Sequence, residues 1–226
     1  MDFNNIATLI QYLLCIPAAL ISLSVHEYCH GYAAYRMGDP TARSLGRLTL
    51  NPLSHLDPIG TVCMVFFGFG WAKPVPINPR YFRDPRKGMA LTAAAGPLSN
   101  LILAILGALL YLLTVLLAKA VFPLIASDIA YYFFEFLGIF FLVFHTLNLS
   151  LFVFNLIPLP PLDGSRILYA FLPPRLYFGM MKYERAIHMA LLIALAFGAF
   201  TGLIESFVSL LSSLIFKLLT LIPFFA

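Results

Sequence analysis

The sequence contains few charged residues. Lys, Arg, Asp and Glu make up 11% of the 226 residues, whereas they make up about 25% of a typical soluble domain. Hydrophobic residues make up 61%, and the mean hydropathy is +0.91. This composition excludes a soluble globular protein. It predicts a polytopic membrane protein whose residues 1–226 form a single membrane-embedded domain.

Cysteine is also scarce. The three cysteines, Cys15, Cys29 and Cys63, lie in apolar surroundings. An odd number cannot pair completely, which favours buried free thiols over a disulfide framework. No Lys or Arg precedes the first apolar run, and this absence argues against a cleaved signal peptide.

Basic residues exceed acidic residues, with a pI near 9.0, but their positions do not indicate nucleic-acid binding. Twelve of the 14 Lys and Arg residues fall in two connections between apolar runs, residues 36–87 and 166–185. By the positive-inside rule these connections are cytoplasmic and the N-terminus is outside. We therefore expect a multi-pass membrane protein with no nucleic-acid partner. The expected location is the cell membrane of a prokaryote.

Long apolar segments predict the spanning helices. A hydrocarbon core about 30 Å thick needs about 20 apolar residues in a helix. Three segments meet this requirement: Ile6 to Val25, Met89 to Phe122, and about Ile129 to Leu156. The first helix is expected to continue past this uncharged run and to end at Gly38-Asp39-Pro40. The C-terminal part, about residues 185–226, is predicted to be helical as well. Its interruption at Thr201-Gly202 leaves open whether it forms two spans or one span and an interfacial helix.

The connection between the first two spans contains a shorter apolar insert, Ile59 to Trp71. It is too short for a span, its glycines suit turns, and its β-branched and aromatic residues suit short strands. We expect a small re-entrant β-hairpin over about residues 59–77, shielded from lipid by the rest of the protein. The flanking polar side chains are expected to form turns and caps: Asn51, His55 and Asp57.

The first span carries the segment His26-Glu27-Tyr28-Cys29-His30. Residues four apart on a helix face the same way, so His26 and His30 can bind one Zn²⁺ ion. Glu27 beside them can take a proton from an activated water. Cys29, three residues after His26, falls off the arc that the two histidines share.

A packing role is the alternative for these residues. A single histidine on an apolar helix is more often a hydrogen-bonded packing residue than a ligand. A charged side chain at the bilayer centre costs roughly 2.5–3.5 kcal/mol on insertion scales, however, so ionisable residues there are functional candidates. Two histidines at ligand spacing with a carboxylate between them therefore favour a metal site, which still needs a third ligand.

The third span runs into a proline-rich break, Asn155–Gly164. Three prolines within four positions forbid a regular helix and leave backbone groups in need of partners, which a membrane protein tolerates where the chain lines a site. Asp163 at the end of this break is the candidate third ligand; the alternative is a solvated aspartate in a turn. The charge distribution directs the ends of the first and third spans to the same face, so Asp163 lies at a depth similar to that of His26 and His30.

Three further polar residues lie inside the second and third spans. Interhelical hydrogen bonding or packing is the favoured interpretation for each of them: Asn100, His145 and Asn148.

At these residues the chain resembles the site-2 protease family of intramembrane zinc metalloproteases. The similarity covers about residues 6–170, and the matching segments are His26–His30, Gly96–Asn100 and Asn155–Gly164. The re-entrant β-hairpin of that family corresponds to residues 59–77. The chain has no room for a PDZ or CBS domain, so it resembles the minimal branch of the family.

The resemblance implies a three-helix catalytic core, followed by C-terminal helices, with one Zn²⁺ per chain. It implies zinc ligands His26, His30 and Asp163, a catalytic acid/base Glu27, and Asn155 as a residue that helps to hold the substrate. The implied activity is that of an intramembrane zinc metalloendopeptidase. Such an enzyme hydrolyses peptide bonds in or near the transmembrane segments of membrane proteins, here at a site near the cytoplasmic face of the lipid bilayer.

Two other classes of protein stay open. One is a membrane transporter or channel whose His, Glu and Asp cluster carries metal ions or protons. The other is a catalytically inactive scaffold of the same fold that binds membrane proteins. Glu27 argues against the scaffold, because metal binding alone would need only the two histidines and the aspartate.

Overall fold

A computed structural model describes residues 6–67, 70–125, 127–173, 175, 176, 179, 182–222 and 225. Within them the chain is mainly helical, as the composition predicts. The α-helices are α1 (Ile6–Arg36), α2 (Thr41–Ser44), α3 (Pro58–Phe67), α4 (Pro85–Val121), α5 (Asp128–Asn155), α6 (Asp163–Tyr169), α7 (Glu184–Ala196) and α8 (Thr201–Thr220). Two short 3₁₀ turns, Pro52–Ser54 and Pro79–Tyr81, lie between α2 and α4.

Four of these helices, α1, α4, α5 and α8, are long and apolar enough to cross a membrane. The first three correspond to the three predicted spans. In the C-terminal part, α7 has 13 residues, fewer than the roughly 20 that a span requires. The described residues there thus contain one helix of spanning length and one shorter helix.

The predicted β-hairpin over residues 59–77 is wrong. The described residues of this segment contain no β-strand; Pro58–Phe67 form α3, and residues 68 and 69 lie outside the described part of the chain. A helix satisfies its backbone hydrogen bonds internally, whereas a two-stranded hairpin leaves edge groups unpaired, which is costly in hydrocarbon. The only strand-like pairing among the described residues is one isolated antiparallel bridge between Leu56 and Ala72.

Local signals at the start of α3 explain why this segment is a helix. Proline at the first position of a helix loses no hydrogen bond, and Pro58 occupies that position. Asp57 precedes it, and its Oδ1 accepts a hydrogen bond from the backbone N–H of Gly60 at 2.8 Å. The capping role predicted for Asp57 is therefore confirmed.

Helix α4 is the central element, because it packs against α1, α5, α6 and α8. Its start is fixed by Asp84, whose Oδ1 accepts hydrogen bonds from two backbone N–H groups of the first turn. Small side chains allow membrane helices to approach one another closely. The buried face of α4 carries many of them, including Gly88, Ala93, Gly96, Ser99, Ala104, Gly107 and Ala108.

Helix α8 packs on α4 and α5 through a small apolar core that contains Ala104, Leu149 and Val208. His145 of α5 joins the three helices. Its Nδ1 donates to the carbonyl of Ala104 at 2.8 Å, and its Nε2 accepts from the hydroxyl of Ser212 at 2.9 Å. The predicted packing and hydrogen-bonding role of His145 is confirmed.

Candidate metal centre

Three predicted ligands come together in the structure. His26 and His30 lie one turn apart on α1, and their Nε2 atoms are 2.9 Å apart. The Oδ2 atom of Asp163, at the start of α6, is 3.2 Å from the first and 3.1 Å from the second. All three side chains are buried. Among the described residues, these three form the one cluster of His, Cys, Asp or Glu whose ligand atoms could hold a metal ion.

The opposite ring nitrogens of the two histidines contact oxygen atoms of α4. His30 Nδ1 is 2.7 Å from the backbone carbonyl of Thr92, and His26 Nδ1 is 2.6 Å from the side-chain Oδ1 of Asn100. Metal-binding histidines typically donate their second N–H to such an oxygen, which fixes the tautomer and the orientation of the ring. Both Nδ1 atoms therefore carry a proton, and both Nε2 atoms, which hold the lone pair of a neutral imidazole, face Asp163.

The donor set fits a zinc ion. Two imidazole lone pairs and one carboxylate oxygen lie 2.9–3.2 Å from one another, and such a group of acceptors repels unless a cation or a proton lies among them. Ligands bound tetrahedrally to one Zn²⁺ at 2.0–2.1 Å stand about 3.4 Å apart. The separations in this cluster are close to that value.

The proline-rich break places Asp163 opposite α1. The chain leaves α5 at Asn155 and begins α6 at Asp163, with the backbone of the intervening residues folded against the new helix. A Cβ atom on Gly164 would lie 2.6 Å from the carbonyl oxygen of Ile157. Only glycine fits this close approach, so Gly164 allows the aspartate before it to reach the histidines.

Gly96 has a similar role on α4. A Cβ atom there would lie 2.6 Å from Cε1 of His26 and 2.5 Å from Cε1 of His30. Thr92, Gly96 and Asn100 follow one another at intervals of four, so they form one stripe of α4 facing the two histidines. The absence of a side chain in the middle of this stripe makes room for both imidazole rings.

We therefore expect Gly96→Ala to weaken zinc binding and to slow substrate cleavage by at least about 10-fold, because the methyl group would displace both rings. Gly138→Ala is the matched control. This glycine is also buried in a spanning helix, but a Cβ atom there would meet only Tyr111, at 3.8 Å. Zinc content and cleavage rate of the purified variants check the prediction. Equal values for the two variants would contradict it.

Glu27 is buried beside the cluster and is held by the connection between α3 and α4. The backbone N–H of Val75 donates to its Oε2 at 2.8 Å. Pro74 and Pro76 flank Val75 and have no N–H, so Val75 carries the only backbone donor of the three. No local pattern predicts this contact, because it joins residues 48 positions apart.

Asn155, the predicted substrate-binding residue, lies at the end of α5 and is half-buried. Its side-chain amide donates to the carbonyl of Leu151 in its own helix at 3.0 Å. Its role stays a prediction. Asn100 does form the predicted interhelical hydrogen bond, 2.9 Å to Oδ1 of Asn148. Its second contact, with His26, was not predicted.

Comparison with known proteins gives a family match. The model of peptidase family M50 matches residues 125–201, which include the proline-rich break and Asp163. The chain is 45% identical over 177 residues to the protein named "Putative zinc metalloprotease YwhC" of Bacillus subtilis. The aligned residues make up 78% of this chain and 76% of that protein. No solved structure gives a significant match.

Two mycobacterial proteins, both named "Putative zinc metalloprotease Rip2", are also similar. The identity is 32% over 168 residues for the protein of Mycolicibacterium smegmatis, covering 72% of this chain and 59% of that protein. It is 31% over 192 residues for a Mycobacterium tuberculosis protein, covering 82% of this chain and 65% of that protein. The chain thus spans about three fifths to three quarters of the length of these three relatives.

Proposed function

Because the chain belongs to peptidase family M50, the site-2 proteases, and is a metalloprotease, we propose that it hydrolyses peptide bonds within or next to the transmembrane segments of other membrane proteins. One observation carries this proposal. The two histidines and the aspartate converge, buried, among helices that are long and apolar enough to cross a membrane, with Glu27 beside them.

We assign one Zn²⁺ per chain to His26 Nε2, His30 Nε2 and Asp163 Oδ2. Three protein ligands are typical of catalytic zinc sites, which keep a further position open. A zinc ion bound there supplies Lewis acidity, which activates water and polarises a peptide carbonyl at neutral pH. The imidazoles contribute by remaining neutral, with their protons held on Nδ1.

Glu27 is the acid/base of the proposed reaction. Its carboxylate accepts a proton as water attacks the peptide carbonyl, and it returns the proton to the nitrogen of the leaving amine. The Val75 N–H holds Oε2, so we assign the proton transfer to Oε1. Asn155 is proposed to hold the backbone of the substrate near the end of α5, after breaking its hydrogen bond to Leu151.

An apolar cavity supports access for a hydrophobic substrate. Its volume is about 530 Å³, and it lies between α1, α5 and α7. Leu162, the residue before Asp163, lines it, together with Trp71 from the connection before α4. A substrate segment in this cavity would lie against hydrocarbon-like side chains close to the metal ligands.

The distribution of basic residues supports an orientation for the site. We propose that the connections rich in Lys and Arg face the cytoplasm of a prokaryotic cell. Arg36 ends α1, six residues after His30, which is about 9 Å along a helix axis. The proposed site therefore lies inside the bilayer but close to its cytoplasmic face.

The function can be tested with purified protein and a single-span reporter reconstituted together in lipid vesicles. We expect cleavage in or near the span of the reporter, located by mass spectrometry of the two products. Removal of zinc with a chelator should abolish cleavage, and about one equivalent of Zn²⁺ should restore it, whereas Mg²⁺ should not. Undiminished cleavage by the metal-free protein would overturn the proposal.

A further inference from the structure

A continuous chain of buried hydrogen bonds leads from His26 through α4 and α5 and back to α1. Asn100 Oδ1 contacts His26 Nδ1 at 2.6 Å, and Asn100 Nδ2 donates to Asn148 Oδ1 at 2.9 Å. Asn148 Nδ2 in turn donates to the hydroxyl of Ser22 and to the carbonyl of Phe144, both at 2.8 Å. The chain joins α4, α5 and α1, and the side chains of both asparagines are 0% exposed.

The donor and the acceptor of every hydrogen bond in this series are determined by the groups at its end, the Phe144 carbonyl and the Ser22 hydroxyl. The carbonyl of Phe144 can only accept, so the Asn148 atom that faces it must be the nitrogen. The Ser22 hydroxyl donates to the carbonyl of Ala18 at 2.7 Å, so its oxygen accepts from the same nitrogen. The amide of Asn148 is thereby held in one orientation, with its oxygen turned toward Asn100.

The orientation of the Asn148 amide determines the orientation of the Asn100 amide, which in turn determines the tautomer of His26. Facing an oxygen, Asn100 must present its nitrogen, so its own oxygen faces His26. An amide oxygen only accepts, so the proton of a neutral His26 lies on Nδ1 and the lone pair of Nε2 faces the metal site. With Asn100 reversed, its N–H group would face Nδ1 and would favour the tautomer whose Nε2 proton points at Asp163.

We propose that Asn148, supported by Ser22, is a positioning residue for the metal centre: it orients the Asn100 amide and thereby selects the zinc-binding tautomer of His26. The inference rests on the proposed zinc site and adds two residues whose side-chain hydrogen bonds reach His26 only through Asn100. His30 needs no such device, because its Nδ1 faces the backbone carbonyl of Thr92, which can only accept.

The first test compares Asn148→Leu with His145→Leu. Leucine is close to asparagine in size but lacks the amide oxygen and nitrogen through which Asn148 orients the Asn100 amide. His145 lies on the same helix, is equally buried and bonds to α4 and α8, but it is not part of this chain. We expect Asn148→Leu to weaken zinc binding about 10- to 100-fold, as removal of an outer-shell partner typically does, and His145→Leu to bind zinc as the wild type does.

In a second pair of variants only a hydroxyl group is removed, so that the inference can still be tested if the leucine variants do not fold. Ser22→Ala removes one of the two acceptors of Asn148, and Ser212→Ala removes the partner of His145. We expect Ser22→Ala to weaken zinc binding, by less than Asn148→Leu does. Ser212→Ala should leave zinc binding unchanged.

Competition with a chelating dye gives the zinc affinity, and the visible spectrum of the Co²⁺-substituted protein reports the coordination of His26. We expect that spectrum to change in Asn148→Leu and to match the wild type in both control variants. Wild-type zinc affinity in Asn148→Leu, or in Ser22→Ala if the leucine variants do not fold, would overturn the proposal. So would an equal loss in the variants and their controls, which would show that packing alone is affected. If the wild type itself binds no zinc, the proposed function fails rather than this inference.

Discussion

We expect the Glu27→Gln variant to cleave its substrate at least about 100-fold more slowly than the wild type while keeping its zinc. Glutamine has the shape of glutamate, and its side-chain oxygen can still accept the hydrogen bond from the Val75 N–H. It cannot take a proton from water at neutral pH. Loss of a general acid/base typically costs a factor of about 10² to 10⁴ in rate.

The measurement is the initial rate of reporter cleavage in lipid vesicles, with zinc content determined on the same preparation. Glu135→Gln is a suitable control, because Glu135 also lies in a spanning helix but is exposed on α5, away from the cluster. Equal rates for wild type and Glu27→Gln would remove Glu27 from the mechanism. They would also favour a role for the site in transport or in binding alone.

The second large effect is expected from Asp163→Ala, which should lose both bound zinc and cleavage. Alanine leaves only two imidazoles to hold the ion and removes the one negative charge among the proposed ligands. Because loss of an outer-shell partner already costs about 10- to 100-fold in metal affinity, loss of a direct ligand should weaken binding by more than about 100-fold. Equilibrium dialysis against a zinc buffer measures this change.

Asp128→Ala serves as the matched control for Asp163→Ala. Asp128 also lies in the first turn of a helix, but it is exposed and far along the chain from the cluster. Its replacement should leave zinc binding and cleavage unchanged. Wild-type zinc affinity in Asp163→Ala would show that the third ligand lies elsewhere.

Much of the candidate site could be predicted from local patterns in the sequence. The spacing of His26 and His30 is a property of the helix alone, and the prolines before Asp163 mark a break that a membrane protein keeps only where it is shielded. The bounds of α4 and α5 follow from hydropathy to within a few residues, because a long apolar helix is an unambiguous signal, and the turn residues Gly38-Asp39-Pro40 mark the end of α1.

The other features of the fold and of the site depend on how the helices pack, which local patterns do not show. An apolar run of about ten residues suits a strand or a helix equally well, so the pattern over residues 59–77 predicts a hairpin although Asp57 and Pro58 mark a helix start. The link between Asn100 and His26 requires the register of α4 against α1, which no local pattern contains. The available signal was two stripes at four-residue spacing: Ser22, His26 and His30, and Thr92, Gly96 and Asn100.

The central claim is that His26, His30 and Asp163 together hold one zinc ion inside the membrane domain. X-ray absorption at the zinc edge of the purified protein tests this claim most directly. We expect a coordination shell of nitrogen and oxygen atoms at about 2.0–2.2 Å, with the scattering pattern of two imidazoles. A sulfur atom at about 2.3 Å, the distance of a cysteine ligand, or a shell without two imidazoles would contradict the account.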